Sequence, residues 1–322
     1  MKKSRNILIY GASGYIGNAL KEKLKIKNYE FSSVSSSFNI NSKNDIKIKS
    51  YSDENIPKII LKKKSINLIF FLASQTSVKK SSQNKSQNLI ESIKPLINLY
   101  EYSLENKIHL HIIFTSTITV FGSKNVNINK KTRVSPETTF DIHKSFFEQY
   151  LIFFAKTSKY FNYTILRLPN IYGPGKNSIS KEEDRGILNK IISNSLKNNA
   201  SIKVYGDGKY LRDFIFIDDL IELFILIIRK QSIFYDQTLN LYSIEKTFLK
   251  DFFINLQKNL KIFGIEKKIT YSKWPSDAMA INKRSFQVDD KTIYKKYKWK
   301  PQIQLSEGIL RSLNYYGKKY NS

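Results

Sequence analysis

Apolar and polar positions divide the first half of the chain into alternating strand-like and helix-like stretches. Asn6–Tyr10 (NILIY) and Phe31–Ser35 read as short strands; Asn67–Ala73 (NLIFFLA), Leu110–Ser116 (LHIIFTS) and Tyr163–Arg167 follow them. A continuous apolar run without polar alternation is what a parallel strand buried on both faces requires. Between these runs, Asn18–Lys27 sets Ala19, Leu20 and Leu24 on one helical face. Leu89–Glu105 and the strongly aromatic Phe140–Lys156 are further helices. Alternation of this kind predicts an α/β fold, a Rossmann-type doubly wound parallel sheet. After about Pro169 the pattern changes: Gly173, Pro174 and Gly175 cluster and the elements become mixed, which predicts a smaller mixed α/β lobe.

Gly11–Gly17 (GASGYIG) lies between the first strand and the first helix. Glycines there allow a tight turn and close approach of the backbone to a pyrophosphate, which then faces the helix N-terminus. This context predicts a dinucleotide-binding domain over residues 1–168, with later returns near 210–243 such as Thr238–Ser243 (TLNLYS). Residues 169–322 are then mainly a substrate-binding lobe. About twenty residues past the glycines, an acidic residue would grip the ribose 2′-hydroxyl of NAD. The position holds Ser35 in the run VSSS. A serine cluster can accommodate a 2′-phosphate, although no arginine stands beside it, so the cofactor is NAD or NADP with a slight lean to NADP.

Composition narrows the remaining options. Hydrophobic residues make up 41% of 322, as in a folded globular protein, and there are no cysteines and only three histidines. Disulfides, thiolate nucleophiles and Cys-type metal sites are excluded, and no metal site is expected. The net charge of +27 comes from lysines spread along the whole chain among Asn, Ile and Ser, with no arginine-rich tract and no nucleic-acid motif. It reads as a solvated surface that helps to gather a polyanionic small substrate, with no nucleic-acid partner. The longest apolar run, Leu220–Ile228, contains Glu222 and is too short to span a bilayer. Lys2, Lys3 and Arg5 lead into an apolar run too short for a signal peptide, so a cytoplasmic protein is expected.

Further motifs fall in order after the glycine turn. FTSTITVFG spans 114–122 and PETTFDIHKSFFE 136–148; LRLPNIYGPG spans 166–175, VYGDGKYLRDFIFIDDL 204–220 and KWKPQIQLSEGI 298–309. Together with GASGYIG they resemble the extended short-chain dehydrogenase/reductase family, in its nucleotide-sugar epimerase/dehydratase branch. The resemblance spans nearly the whole chain. It implies a nucleotide-diphosphate sugar held between the lobes, with its C4 carbon near a nicotinamide. In such enzymes a tyrosine exchanges the hydroxyl proton as hydride moves to or from the ring, and a lysine lowers the tyrosine's pKa and binds the nicotinamide ribose. Carried over by position, Thr117 is the orienting hydroxyl, Phe140 stands at the tyrosine position and Lys144 is the lysine. Gly11, Gly14, Tyr15, Ile16, Gly17, Ser35, Ala73 and Lys144 are implied to bind the cofactor; Thr117, Asn170 and Arg212 are implied to bind the substrate. From the residues alone, Lys144 could equally be a solvated surface lysine, and Arg212 could be paired with its neighbour Asp213.

Two departures matter. Phe140 keeps the ring's packing but cannot carry a proton, and acid–base help of this kind is typically worth about 10² to 10⁴ in rate. His143 on the same helix reads as a packing residue. Ile118 and Thr119 stand where the 4,6-dehydratases of the family carry an acidic pair, which leaves a C4 epimerase or a 4-ketoreductase. Phe140 can be an engineered replacement in such an enzyme, impairing it. It can be native, with proton transfer through Thr117, water or the substrate. Alternatively, the chain is a non-catalytic binding protein on this fold. Phe146, Phe147, Tyr150, Phe153 and Phe154 surround much of the aromatic helix, which predicts wide burial, part of it at a homodimer face.

Overall fold

The structure, a computed structural model, describes residues 3–37, 44–61, 66–74, 76–124, 127–179, 186–197, 201–276 and 283–321. The apolar run at the N-terminus completes β1 (Lys3–Tyr10), and Ile7, Leu8, Ile9 and Tyr10 are essentially unexposed. The run is buried because β1 is flanked on both sides, by β2 (Tyr29–Ser35) and by β4 (Leu68–Phe71), both parallel. β3 (Asp45–Lys47) extends the sheet beyond β2, and β5 (Leu110–Thr117) extends it beyond β4, again in parallel. With β7 (Phe161–Leu168) and β12 (Gln237–Asn240) the order of the seven strands is β12-β7-β5-β4-β1-β2-β3. The chain winds outward from β1 in one direction and restarts at β4 in the other. The crevice beyond the carboxyl ends of β1 and β4 is therefore the switch point of the sheet, where open α/β sheets bind ligands.

Helices cover the sheet. α1 (Tyr15–Ile26) buries Leu20 and Leu24, and α2 (Ile56–Leu61) buries Ile60. α3 (Val78–Gln83) and α4 (Lys85–Glu105) precede β5. α5 (Thr139–Thr157) starts where Thr138 accepts a hydrogen bond from the Asp141 amide, as a helix N-cap should. α5 buries Asp141, Lys144, Phe147, Glu148, Leu151 and Phe154, a stripe at three- and four-residue spacing. Within it Glu148 is fully buried, and Arg167 of β7 grips both its carboxylate oxygens, Nη2 to Oε2 at 2.6 Å and Nε to Oε1 at 3.0 Å. The long apolar run 220–228 lies in α7 (Ile217–Arg229), where Leu220, Leu223, Phe224, Ile227 and Ile228 are buried. Glu222, the charge inside that run, pairs with Lys23 of α1 at 2.5 Å. No helix among the described residues is long and apolar enough to cross a membrane.

The chain folds into two compact units. The first comprises 1–117, 138–167 and 221–239 and holds almost all of the seven-stranded sheet. The second comprises 118–137, 168–220 and 240–322. Segment 118–137, which the sequence pattern leaves inside the span 1–168, belongs to this second unit. The second unit is built from short parallel pairs, β6 (Asn127–Ile128) with β15 (Gln287–Val288), β8 (Asn170–Tyr172) with β11 (Phe214–Phe216), and β9 (Ile202–Tyr205) with β14 (Ile269–Ser272). An antiparallel pair joins β10 (Leu211–Arg212) to β13 (Thr247–Phe248). α6 (Ile187–Ser195), α8 (Leu249–Ile262) and a C-terminal helix, Leu305–Asn321, pack around them.

His111 of β5 gives the sheet a pH dependence. Its Nε2 bonds Thr164 at 2.7 Å, and Thr164 donates onward to the Phe234 carbonyl at 2.6 Å, so Nε2 carries the hydrogen. Burial pushes the imidazole down to about 3 from its usual 6.5. The unfolded chain therefore takes up this proton first as the pH falls, and stability is lost from pH 6.5 downward toward 3. Chemical denaturation should show about 2 kcal/mol less stability at pH 5 than at pH 7.5 from this group, at about 1.4 kcal/mol per pH unit. His111→Gln, which keeps the donor to Thr164 and does not titrate, should flatten that slope.

Candidate active site

The glycine turn is held against the sheet by its own backbone. Gly11 and Ala12 both donate to the Val34 carbonyl of β2, at 2.9 and 3.1 Å. Gly11 takes φ +95°, and a Cβ there would stand 2.6 Å from the Ala73 amide nitrogen just past β4. A Cβ on Gly17 would strike the Gly11 carbonyl oxygen, so α1 could not approach the turn. Gly14 is different: a Cβ added there would meet Gly11 O at 3.4 Å, ordinary van der Waals contact, so a methyl fits without displacing the backbone. Gly14 is also the N-cap of α1 and provides no side-chain cap, and the first turn, beginning with Tyr15 and Ile16, holds no acidic residue. Backbone amides at the positive end of a helix form an anion site. These residues fit the pyrophosphate of a dinucleotide.

Ser35 ends β2, buried, with its Oγ 2.5 Å from Ser13 Oγ of the glycine turn. Ser13 also meets Ser37 at 2.8 Å. Hydroxyls therefore gather at the end of β2, and Lys47 of β3 stands opposite Ser35 in the sheet register.

Lys144 is no surface lysine; it is 6% exposed. Its Nζ donates to the Thr115 carbonyl of β5 and to Ser74 Oγ, each at 2.8 Å. The Phe114 ring lies 4.6 Å from Nζ and the Phe140 ring 5.8 Å. Beneath, Phe147 stacks on Phe114 at 4.0 Å and tilts against Phe71 at 4.9 Å, so aromatic packing sets the height of α5 over β4 and β5. Burial pushes the amine down to about 7 from its usual 10.5, against the opposing pull of Glu148. His143, also on α5, is pushed below its usual value by partial burial. Thr117 ends β5, two residues beyond Thr115 on the same side of the strand.

The second unit holds Asn170 and Arg212. Asn170 donates its side-chain amide to the Asp213 carbonyl at 3.0 Å. Asp213 is not held by Arg212: its carboxylate accepts from the Ser243 and Val288 amides at 2.9 and 2.8 Å. Arg212 instead donates to the Leu211 carbonyl at 2.9 Å and to the Arg284 carbonyl. Its guanidinium lies 5.4 Å from the Phe286 ring, and that of Arg284 lies 4.6 Å from the same ring. Burial, and then the Arg284 charge, push Arg212 down to about 10. Arg284 is itself buried and donates to the Gly122 carbonyl at 3.1 Å. Sequence reasoning missed Arg284, because no motif contains it. The available signal was an arginine two residues before a phenylalanine in a lysine-dominated chain. Two planar guanidiniums sharing one ring and directed at carbonyls form a pair suited to a multi-oxygen anion.

The sequence matches the model of the NAD dependent epimerase/dehydratase family over residues 7–241. The chain belongs to this family. It is 23% identical over 315 residues to a putative UDP-glucose 4-epimerase of Methanocaldococcus jannaschii, covering 96% of this chain and 97% of that protein. It is 24% identical over 321 residues to dTDP-4-dehydro-6-deoxyglucose reductase of Escherichia coli, covering 95% and 96%. Among solved structures, UDP-glucose 4-epimerase of Thermotoga maritima with UDP-glucose matches with a TM-score of 0.83 and 25% identity, over 99% of this chain and 100% of that one.

The family's dependence on NAD sharpens what the glycines should do. Gly14→Ala adds a methyl that the protein accommodates in van der Waals contact, so the melting temperature should stay near that of the parent while nicotinamide dinucleotide affinity, read by calorimetry, falls at least tenfold. Gly17→Ala presses a methyl on backbone, so it should lower stability by about 1–3 kcal/mol in denaturant titration.

Proposed function

We propose that the chain is an NAD(P)-dependent nucleotide-sugar enzyme of the C4-epimerase or 4-ketoreductase type. The observation that carries this is the Arg212–Arg284 pair on Phe286, a cationic cradle for a diphosphate, on a chain of an NAD-dependent family. The relatives named UDP-glucose 4-epimerase and dTDP-4-dehydro-6-deoxyglucose reductase support the substrate class. The dinucleotide, when bound, supplies hydride acceptance and donation. Gly11, Gly14, Gly17, Tyr15 and Ile16 would hold its pyrophosphate end, Ser35 and Ala73 its adenosine side, and Lys144 the nicotinamide ribose. Thr117 would orient the sugar hydroxyl, and Asn170 would contact the substrate. Hydroxyls in place of a carboxylate at the end of β2, with Lys47 opposite, favour NADP over NAD. Ile118 and Thr119 supply no acid–base pair of the 4,6-dehydratase kind.

Titration calorimetry with UDP-, dTDP-, CDP- and GDP-hexoses should find one family that binds in the micromolar range and is interconverted when NAD(P) is added. Binding of a dinucleotide with no affinity for any nucleotide sugar would instead mark a non-catalytic binding protein. Arg284→Met should weaken nucleotide-sugar binding about 10- to 100-fold, the worth of lost charge-assisted hydrogen bonds, and leave dinucleotide binding unchanged.

The outer faces of α4 and α5 support a homodimer. Ile142, Phe146 and Phe153 of α5 are 51%, 41% and 56% exposed, and Ile90 of α4 is 48% exposed. Apolar side chains gathered on neighbouring helices mark an association surface. Light scattering should find a dimer, and Phe146→Glu with Phe153→Glu should convert it to a monomer with unchanged far-ultraviolet circular dichroism.

A further inference from the structure

Position 140 has no oxygen, so the proton of a substrate hydroxyl must go elsewhere. Lys144 offers a place. A protonated lysine carries three donors and no acceptor, and a neutral one carries two N–H donors and a lone pair. The bonds from Nζ end on two acceptors, Thr115 O and Ser74 Oγ, and its remaining surroundings include the rings of Phe114 and Phe140. Two acceptors match the neutral amine and leave its lone pair available to a proton donor. The rings attract a cation, but only weakly beside the cost of taking a charge out of water. Ser74, Phe140, His143 and Lys144 also border a cavity of ≈ 10 Å³, about the space of one water.

The charged and titratable groups around the amine do not reverse this. Glu148, one turn further along α5, favours the ammonium, but Arg167 of β7 holds both its oxygens. Asp141 on the same stripe bonds Thr138 at 2.8 Å, and His143 brings no fixed charge. β5 and the segment after β4 present a carbonyl and a hydroxyl.

We propose that Lys144 itself takes and returns the substrate's hydroxyl proton, the task that a tyrosine at 140 would perform. This rests on the nucleotide-sugar assignment above for its substrate alone. In the oxidising direction the sugar O–H bond breaks and an N–H bond forms on Nζ, turning amine to ammonium. The oxygen's electron pair becomes the second bond of the carbonyl as hydride leaves the carbon for the oxidised nicotinamide. Reduction reverses each transfer. A lysine held near neutrality is suited to both directions at physiological pH.

The amine can be titrated without substrate. In protein labelled at lysine Cε and Nζ, the Lys144 resonance is the one lost in Lys144→Arg, or in Lys144→Met if the guanidinium does not fit. Its chemical shift should change with a midpoint within about one unit of pH 7, as burial of the amine requires. A Lys144 that keeps its proton to pH 10 overturns the proposal. Kinetics provide the second arm. Oxidation should rise and reduction should fall as pH increases through 7. Lys144→Arg carries a permanent positive charge and cannot lose a proton, so kcat should fall at least 100-fold. Phe140→Tyr placed on Lys144→Arg should recover much of that loss. Unchanged kcat in Lys144→Arg overturns the proposal. A Lys144 midpoint near 7 without turnover of any nucleotide sugar counts against the substrate assignment and leaves the titration of Lys144 standing.

Discussion

An amine kept out of water is the constraint around which the first unit is organised. α5 lies against β4 and β5 through Phe147, which stacks on Phe114 and meets Phe71, while Phe71 stacks in turn on Tyr10 of β1. This column fixes the height and rotation of the helix, so the side chain three residues before Phe147 points into the end of the sheet. A lysine there cannot reach solvent, and it is tolerable because a strand-end carbonyl and one hydroxyl meet its nitrogen. The same burial that makes the lysine costly to fold holds its amine well below the usual lysine range.

The second unit uses cations differently. Arg212 and Arg284 are held by carbonyls and by one phenyl ring, so their charges are fixed in place without being neutralised by those contacts. Fixing them is costly in the free protein, as the lowered pKa of Arg212 records. Under the proposed function, an oxyanion brought between these groups would recover that cost.

Several motif residues do structural work. Glu148 and Arg167 form a buried bidentate pair that ties α5 to β7. Asp219 accepts from the Gln302 and Ile303 amides, both at 3.0 Å, and so anchors the chain leading into the C-terminal helix. Asp213 caps the Ser243 and Val288 amides. A carboxylate that gathers backbone amides cannot be exchanged without leaving them unsatisfied, so motifs of this kind carry the fold as much as the chemistry.

The sequence by itself determined the parallel sheet, because strands buried on both faces must be continuously apolar. It also determined the glycine turn, because only glycine permits φ +95° at Gly11 and the contact of Gly17 with the turn. The order of its motifs identified Lys144, Thr117, Asn170 and Arg212 as candidates. Tertiary structure decided the rest. Whether Lys144 is solvated or buried depends on rings from β5 and α5, far apart in sequence, and periodicity on one helix does not state which of its faces is covered. Arg284 enters only because the chain returns past residue 280 to the strand that carries Arg212. Segment 118–137 leaves the first unit because a two-residue strand pairs with Gln287–Val288, a pairing too short and too distant in sequence to leave a hydrophobic pattern.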